Sequence, residues 1–296
     1  MAVLHIENLS KSYGRIQALD NLSLTIESGN IYGILGPNGS GKTTTLGIIL
    51  DILKADSGSY SWFGGIDNTK ARLKIGAILE TPNFYPYLNA VDNLDIIRRI
   101  KGVNHVNYDE LLGQVNLAHR KKSSFRTYSL GMKQRLAIAA TLIGDPEVVI
   151  FDEPTNGLDP QGIAEVRSIL HEVADSGRTV IMASHILDEV EKICSHVAII
   201  KSGKLLATGP VGSILSNEVT IEVAATDMSK LEELLNRLPS AHQIHMAKSW
   251  IECQVDEHMD IAEFSSQLYQ NGLAPTHFVA RKRKLEEEFL TITQNA

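Results

Sequence analysis

The sequence predicts an α/β fold with a mostly parallel sheet covered by helices, followed by a smaller α+β domain. From Val3 to about Thr208, apolar strand-like runs alternate with helix-like segments, and a glycine-rich loop joins an early strand to a helix. After Gly212 the pattern changes to short elements in the order β-α-β-β-α-β, the split βαβ plan of ferredoxin-like domains. The predicted domains are therefore 1–215, with a helical subdomain at about 83–145, and 216–296.

The elements of the larger domain follow from hydrophobic periodicity. A buried strand is expected at Ile31–Leu35, and a helix at Lys42–Leu53 follows the glycine-rich loop. In chain order, the remaining predicted elements are strand Ile75–Leu79, helices Asn89–Lys101, Tyr108–Leu117 and Leu130–Ile143, strand Val148–Asp152, helix Gln161–Ala174, strand Thr179–Ala183, helix Ile186–Cys194, and strands Val197–Ile200 and Lys204–Thr208.

The smaller domain has no pattern that indicates catalysis. Its predicted elements are strand Val219–Val223, helix Met228–Leu238, strands Gln243–Met246 and Trp250–Val255, helix Ile261–Asn271, and strand Thr276–Ala280.

Composition excludes several classes of function. The 296 residues carry a formal net charge of −7, without the basic footprint of a nucleic-acid-binding protein. Cys194 and Cys253 form no CxxC pair, which favours a reduced, cytoplasmic setting. We expect no secretory signal at the N-terminus, and no apolar run approaches the ~18 residues of a membrane span. If the protein takes part in transport, we therefore expect another polypeptide to span the membrane.

The glycine-rich loop, Gly36 to Thr43, has the full GxxxxGK[ST] pattern of a phosphate loop. Its glycines allow a tight turn that directs backbone N–H groups at an anion, with a helix N-terminus behind them. Lys42 would reach the β- and γ-phosphates of ATP, Thr43 would bind Mg²⁺, and Thr44 would bond the α-phosphate. The alternative is a turn that binds nothing, but the lysine and threonine disfavour it. The predicted nucleotide ligands here are Gly36, Asn38, Gly39, Ser40, Gly41, Lys42, Thr43 and Thr44.

Two adjacent carboxylates, Asp152 and Glu153, follow a second apolar strand. Ligands gather at this end of strands in open α/β sheets. Neighbouring residues on a strand face opposite sides, so we expect a different role for each carboxylate. The alternative, two solvated acids at a strand end, is weakened by the phosphate loop upstream.

Between these motifs lies the segment Ser129-Leu130-Gly131-Met132-Lys133-Gln134-Arg135, and His185 follows the next predicted strand. This order resembles the ATP-binding cassette (ABC) ATPases over about residues 2–215. The resemblance implies that Asp152 holds Mg²⁺, that Glu153 orients the attacking water, and that His185 contacts the γ-phosphate. It also implies that Tyr13 stacks on adenine, with a half-buried structural tyrosine as the alternative.

In the family, the middle segment is the signature motif and contacts ATP held by a second copy of the domain. The matching residues are Ser129, Gly131 and Gln134, and Asp159 matches the D-loop at the dimer interface. The usual motif is LSGGQ, so Leu130 and Met132 are departures. A plain helix capped by Ser129 is the alternative interpretation.

A further departure lies at Glu80, where the family normally has a glutamine that touches Mg²⁺ and links to the membrane partner. A carboxylate accepts hydrogen bonds as an amide oxygen does, but it cannot donate them. Glutamate here, with the SLGMKQR signature, resembles the bacitracin and lantibiotic-exporter branch. We therefore assign Glu80 as a metal-contacting transduction residue.

The resemblance implies an ATP-hydrolysing subunit of an ABC transporter that forms a homodimer with ATP and Mg²⁺. It would bind the inner face of the membrane through a separate permease and export a peptide antibiotic or other amphipathic compound. The alternative is an ABC ATPase acting in assembly or translation.

Overall fold

The computed structural model describes residues 1–79, 83–214, 218–256, 260–282 and 285–294. The chain divides into two compact units, Met1–Val211 together with Ile292–Ala296, and Gly212–Thr291. This division lies slightly before the boundary at 215/216 expected from the sequence, and it groups the C-terminal residues with the first unit.

The first unit contains nine strands and seven helices within the described ranges. Its strands are β1 (Ala2–Tyr13), β2 (Ile16–Glu27), β3 (Ile31–Leu35), β4 (Ser57–Trp62), β5 (Ile75–Ile78), β6 (Val148–Asp152), β7 (Thr179–Ser184), β8 (His196–Lys201) and β9 (Lys204–Pro210). Its helices are α1 (Lys42–Ile49), α2 (Asn68–Leu73), α3 (Ala90–Ile100), α4 (Tyr108–Gln114), α5 (Leu130–Leu142), α6 (Pro160–Asp175) and α7 (Leu187–Ile193).

The main sheet has six strands in the order β5-β6-β7-β3-β8-β9, and every pair except β8–β9 is parallel. This confirms the predicted mostly parallel sheet. All residues of β3, β6 and β7 are buried, as expected for central strands covered on both faces. The carboxyl ends of these three strands therefore lie side by side.

A second sheet in this unit is antiparallel, with the order β2-β1-β4. The sequence indicates only the start of β1 as strand-like, and this sheet is not among the predicted elements. Its inward-facing residues, such as Leu4 and Ile6, are buried in one core with Trp62. The Trp62 indole Nε1 donates a hydrogen bond to the Ile49 carbonyl at 2.8 Å, which ties β4 to the end of α1.

Two helices end three or more residues earlier than predicted. The helix expected at Lys42–Leu53 ends at Ile49, because Asp51 takes a left-handed conformation (φ +61°) and the Leu53 N–H donates to the Gly47 carbonyl. The helix expected at Tyr108–Leu117 ends at Gln114, because Asn116 is left-handed (φ +55°) and the Leu117 N–H donates back to the Leu112 carbonyl at 2.8 Å. Both ends use the tolerance of Asn and Asp for this conformation, which periodicity does not reveal.

Helices α3, α4 and α5 form the helical part of the first unit, with two 3₁₀ turns at Ala118–Arg120 and Phe125–Thr127. Asp95 of α3 accepts hydrogen bonds from Arg98, Arg99 and the Tyr108 hydroxyl of α4. These bonds hold the pKa of the Asp95 carboxyl well below its usual range. The contact with Tyr108 links α3 to α4.

The second unit contains a four-stranded antiparallel sheet in the order β11 (His242–Met246), β12 (Ile251–Asp256), β10 (Glu218–Ala225) and β13 (Pro275–Lys282). With helices α9 (Met228–Arg237) and α10 (Ile261–Gln270), these strands follow the β-α-β-β-α-β order expected from the sequence. The core includes Leu231 and Leu235 from α9 and Phe264 and Leu268 from α10. In the chain, helix α8 (Val211–Ile214) precedes these six elements and helix α11 (Leu285–Gln294) follows them.

Among the described residues, no helix has both the length and the apolar character needed to cross a bilayer.

Candidate functional site

The predicted phosphate loop forms one wall of a cavity of about 580 Å³ in the first unit. This volume lies within the ~300–1,000 Å³ typical of small-molecule sites. The described residues that line it are Tyr13, Ile16, Ala18, Asn38, Gly39, Ser40, Gly41, Lys42, Thr43, Thr44, Leu130, Gln134, Asp152, Glu153 and Asn156.

Strand order brings the central site groups together. Lys42 follows β3, Glu153 follows β6 and His185 follows β7, and these strands are neighbours in the order β6-β7-β3. Because parallel strands end at the same edge of a sheet, residues more than a hundred positions apart converge there.

The backbone of the loop at two glycines leaves no space for a side chain. A Cβ atom at Gly36 would lie 2.2 Å from the Ile200 carbonyl oxygen. Gly41 has φ +109°, and a Cβ there would lie 2.5 Å from the Ala18 carbonyl oxygen. The motif glycines therefore permit the close approach of neighbouring backbone that shapes the loop.

The Lys42 side chain is only 6% exposed and spans the loop. Its Nζ donates to the Gly36 carbonyl at 2.8 Å and to the Pro37 carbonyl at 3.4 Å. The same Nζ lies 3.6 Å from Glu153 Oε1, close enough for an ion pair. A positive charge is thus held at the floor of the cavity.

Thr43 and Asp152 place two oxygen atoms together beside Lys42. The Thr43 hydroxyl donates a hydrogen bond of 2.7 Å to Asp152 Oδ2, and Asp152 is buried at the end of β6. A hydroxyl and one carboxylate form an oxygen-donor set of the kind that Mg²⁺ uses together with phosphate oxygens. Among the described residues, no group of three or more His, Cys, Asp or Glu side chains could hold a metal.

Glu153 and His185 are in direct contact, with His185 Nδ1 at 2.9 Å from Glu153 Oε2. An ionised carboxylate can only accept a hydrogen bond, so the contact uses the imidazole form that carries a proton on Nδ1. The Glu153 backbone N–H donates to the Ala183 carbonyl of β7 at 2.9 Å. The Glu153 carboxylate therefore contacts the His185 imidazole through one oxygen and lies 3.6 Å from the Lys42 ammonium through the other.

Strand alternation does not explain why the Asp152 and Glu153 side chains point in different directions, so that part of the prediction is wrong. β6 ends at Asp152, and Glu153 takes a left-handed conformation with φ +51°. A turn of the backbone, rather than the pleat, separates the two carboxylates. Such a conformation is uncommon for a residue other than glycine and is frequent at functional sites.

Tyr13 lines the cavity at the end of β1 and is 46% exposed. Sequence reasoning missed its partner Ile16, which faces Tyr13 across the β1–β2 hairpin and is also exposed. Ile16 could have been identified from the sequence as the residue that pairs with Tyr13 across a two-residue hairpin turn.

Of the three predicted signature residues, Gln134 lines this cavity and is nearly buried. Ser129 caps α5 instead, its Oγ accepting the Met132 N–H at 3.3 Å. The surroundings of Gly131 leave room for a side chain, since a Cβ there would lie 3.9 Å from its nearest neighbours. Leu130, an irregular position of the motif, is a further lining residue that sequence reasoning missed.

The other predicted site residues have separate locations. Asp159 caps α6, its Oδ1 accepting the Gly162 N–H at 2.9 Å, and it is not among the described residues that line the cavity. Asn156, which the sequence analysis did not select, does line it. Glu80 lies outside the described residues.

The chain matches a family model and several known proteins. Residues 19–156 match the family model described as ABC transporter. The chain is 37% identical to the bacitracin transport ATP-binding protein BcrA of Bacillus licheniformis, over 98% of this chain and 97% of that protein. It is 41% identical to the lantibiotic transport ATP-binding protein SrtF of Streptococcus pyogenes, over 69% of this chain and 89% of that protein.

Solved structures resemble the chain in the same way. One is an ATP-binding cassette of an ABC transporter in its ADP conformation, with a TM-score of 0.64 and 25% identity, covering 72% of this chain and 92% of that chain. Another is a dimeric ATP-binding cassette bound to ADP and phosphate, with a TM-score of 0.62 and 27% identity, covering 70% of this chain and 98% of that chain.

Proposed function

The chain belongs to the ABC transporter family as an ATP-hydrolysing subunit, and from that premise we propose that two copies of it drive a separate export permease. The observation that carries the proposal is the convergence of Lys42, Asp152, Glu153 and His185 beside the phosphate loop. Full-length similarity to a transport ATP-binding protein supports it, and the similarities to transport proteins disfavour a role in assembly or translation.

We assign nucleotide binding to the cavity. Backbone N–H groups of the loop and Lys42 would hold the phosphates, and Tyr13 would stack on adenine, with Ile16 beside it. Thr43 and Asp152 would hold Mg²⁺, which would offset charge on the phosphate oxygens when bound. The oxygen donors already stand 2.7 Å apart, so little rearrangement is needed.

We assign hydrolysis to Glu153, which would orient a water molecule in line with the γ-phosphorus and accept its proton. A bond forms between the water oxygen and phosphorus, and the bond to the bridging oxygen of ADP breaks. The contact of 2.9 Å with His185 supports a joint role, in which His185 orients Glu153 and contacts the γ-phosphate. Lys42 would stabilise the charge that spreads over the phosphate oxygens.

We propose that the second copy supplies Ser129, Gly131 and Gln134 to the nucleotide, with Asp159 at the interface. Gln134 lines the cavity of its own chain in the single copy, so this contact requires its side chain to turn toward the partner. The first turn of α5 has N–H groups without intrahelical partners, and these favour a phosphate. The similarity to a dimeric cassette supports this assembly.

A substitution at Ser129 separates its capping role from a phosphate contact. Ser129→Ala should lower the free energy of unfolding by about 1 kcal/mol in urea titrations, because the N-cap is lost. Ser129→Asp retains a good cap but brings a negative charge toward the triphosphate, so it should keep stability and lose ATP-dependent dimerisation in sedimentation velocity. Unimpaired dimerisation of Ser129→Asp would contradict the contact.

The permease and its cargo are further parts of the proposal. Tyr85 and Tyr87 are exposed and follow the predicted transduction residue Glu80 closely in the sequence, and we assign this region to the contact with the permease. Relatives named for bacitracin transport, lantibiotic transport and Nod factor export support an amphipathic cargo, with a peptide antibiotic as our first candidate. The subunit would thus lie on the cytoplasmic face of the membrane.

Affinity purification of the Glu153→Gln variant from membranes, in a buffer that contains ATP, tests the transport role. We expect an integral membrane protein to co-purify, because ATP that is bound but not cleaved should hold the dimer closed on its partner. The matched control is Lys42→Ala, which should recover less of that partner. Recovery of no integral membrane protein with Glu153→Gln would contradict the proposal.

A further inference from the structure

Thr155 and Glu189 form a buried polar pair, and neither is among the described residues that line the cavity. Thr155 is 2% exposed and Glu189 is 4% exposed. The Thr155 hydroxyl donates a hydrogen bond to Glu189 Oε2, across 34 positions of sequence. Neither residue has a role in the site as assigned above.

Thr155 is rigidly connected to Glu153. The turn that follows β6 is closed by two hydrogen bonds, from the Asn156 N–H to the Glu153 carbonyl at 3.2 Å and from the Leu158 N–H to the Thr155 carbonyl at 3.2 Å. A displacement of Thr155 would therefore be passed to the left-handed backbone of Glu153.

Glu189 is rigidly connected to His185. It lies in the first turn of α7, which begins at Leu187. The entry to that helix is held by the Ile186 N–H, which donates to Ser184 Oγ at 3.0 Å. Glu189 and Val190 are both buried, so this turn cannot rotate without exposing apolar surface or breaking the bond to Thr155.

Burial makes this hydrogen bond consequential. When a buried carboxylate loses its hydrogen-bond partner, its desolvation free energy is no longer offset. Hydrogen bonds to charged groups are also stronger than those between neutral groups. The two segments that carry Glu153 and His185 are thus joined within the site, by the Glu153–His185 contact and by the bond from the Glu153 N–H to the Ala183 carbonyl. The Thr155–Glu189 bond joins them again outside the cavity.

We infer that Glu189 is a positioning residue for ATP hydrolysis, acting through Thr155 to hold Glu153 in its geometry against His185. The inference rests on the roles proposed above for Glu153 and His185. Because neither Thr155 nor Glu189 lines the cavity, losing their bond disturbs the orientation of the attacking water rather than the binding of nucleotide.

The test compares substitutions that remove the bond with substitutions that keep it. Thr155→Val keeps the side-chain shape but removes the hydroxyl, and it should lower kcat by about tenfold or more, since misplacement by about 1 Å can cost ~100-fold. KM for ATP should change by less than about threefold, because ground-state binding is retained. Thr155→Ser keeps the hydroxyl donor, and Glu189→Gln keeps an oxygen acceptor. The kcat of each variant should therefore stay within about threefold of wild type.

A double-mutant cycle adds a readout that general destabilisation would not produce. Glu189→Ala should lower kcat as Thr155→Val does, and the double variant should be no slower than the slower single one, because both remove the same bond. Asp188→Ala is the matched control on the same helix. The Asp188 side chain is 66% exposed and forms a surface ion pair with Lys192, so kcat should be unchanged.

Three outcomes would overturn the inference: an unchanged kcat in Thr155→Val, a loss that Thr155→Ser does not restore, or additive losses in the double variant. Glu153→Gln, measured in parallel, separates this failure from that of the proposed function. If Glu153→Gln is inactive while Thr155→Val is fully active, only the positioning role fails. If Glu153→Gln turns over normally, the proposed role of Glu153 fails as well.

Discussion

Replacing Glu153 by glutamine is expected to lower the rate of ATP hydrolysis by at least about 100-fold, the contribution typical of a positioned general base. Glutamine keeps the size of the side chain but cannot take a proton from water. ATP should bind at least as tightly, because the substitution removes a negative charge that lies 3.6 Å from Lys42 and beside the phosphate site. Phosphate release measures the rate, and titration calorimetry measures the affinity.

The matched control is Glu147→Gln. Glu147 precedes β6, and its exposed carboxylate pairs with Lys74 rather than facing the cavity. Its substitution should leave hydrolysis and ATP affinity unchanged, as expected for a surface ion pair. Hydrolysis by Glu153→Gln at the rate of Glu147→Gln would remove Glu153 from the mechanism.

Replacing Lys42 by alanine is expected to weaken ATP binding and to abolish hydrolysis. Lys42 Nζ donates to two loop carbonyls and is the buried cation at the floor of the cavity. A hydrogen bond between charged groups contributes about 1.5–3 kcal/mol, so the affinity should fall by roughly 10–100-fold. Loss of charge stabilisation in the transition state should lower kcat further, by about 100-fold or more.

Calorimetric titration with ATP, alongside phosphate release, tests this expectation. Lys74→Ala serves as the control, because Lys74 carries the same charge in an exposed ion pair. Circular dichroism of both variants verifies folding. Equal ATP affinity in Lys42→Ala and the wild type would show that the cavity does not bind phosphate as proposed.

Much of the main sheet could be predicted from local pattern. The strands expected at Ile31–Leu35 and Val148–Asp152 are confirmed to the residue, because fully apolar runs between turn signals identify buried parallel strands. The antiparallel sheet of β1, β2 and β4 was not predicted as a unit. Its strands are joined by long-range pairing, such as Leu4 with Trp62, and such pairing leaves no local signature.

Helix ends were predicted less well than helix positions. Asp51 and Asn116 end α1 and α4 through left-handed backbone that neither residue type requires. The same limitation applies to Glu153, whose left-handed conformation depends on the bond from its N–H to Ala183 on the neighbouring strand.

The family and the chemistry available to this protein follow from the sequence alone, because a phosphate loop, an acidic strand end and their order are local features of the chain. How those groups meet depends on the tertiary fold. The adjacency of β6, β7 and β3 places Glu153 beside both Lys42 and His185, and the packing of α7 buries Glu189 against Thr155. Sequence patterns report periodicity within one segment, whereas these contacts join segments that strand order and burial bring together.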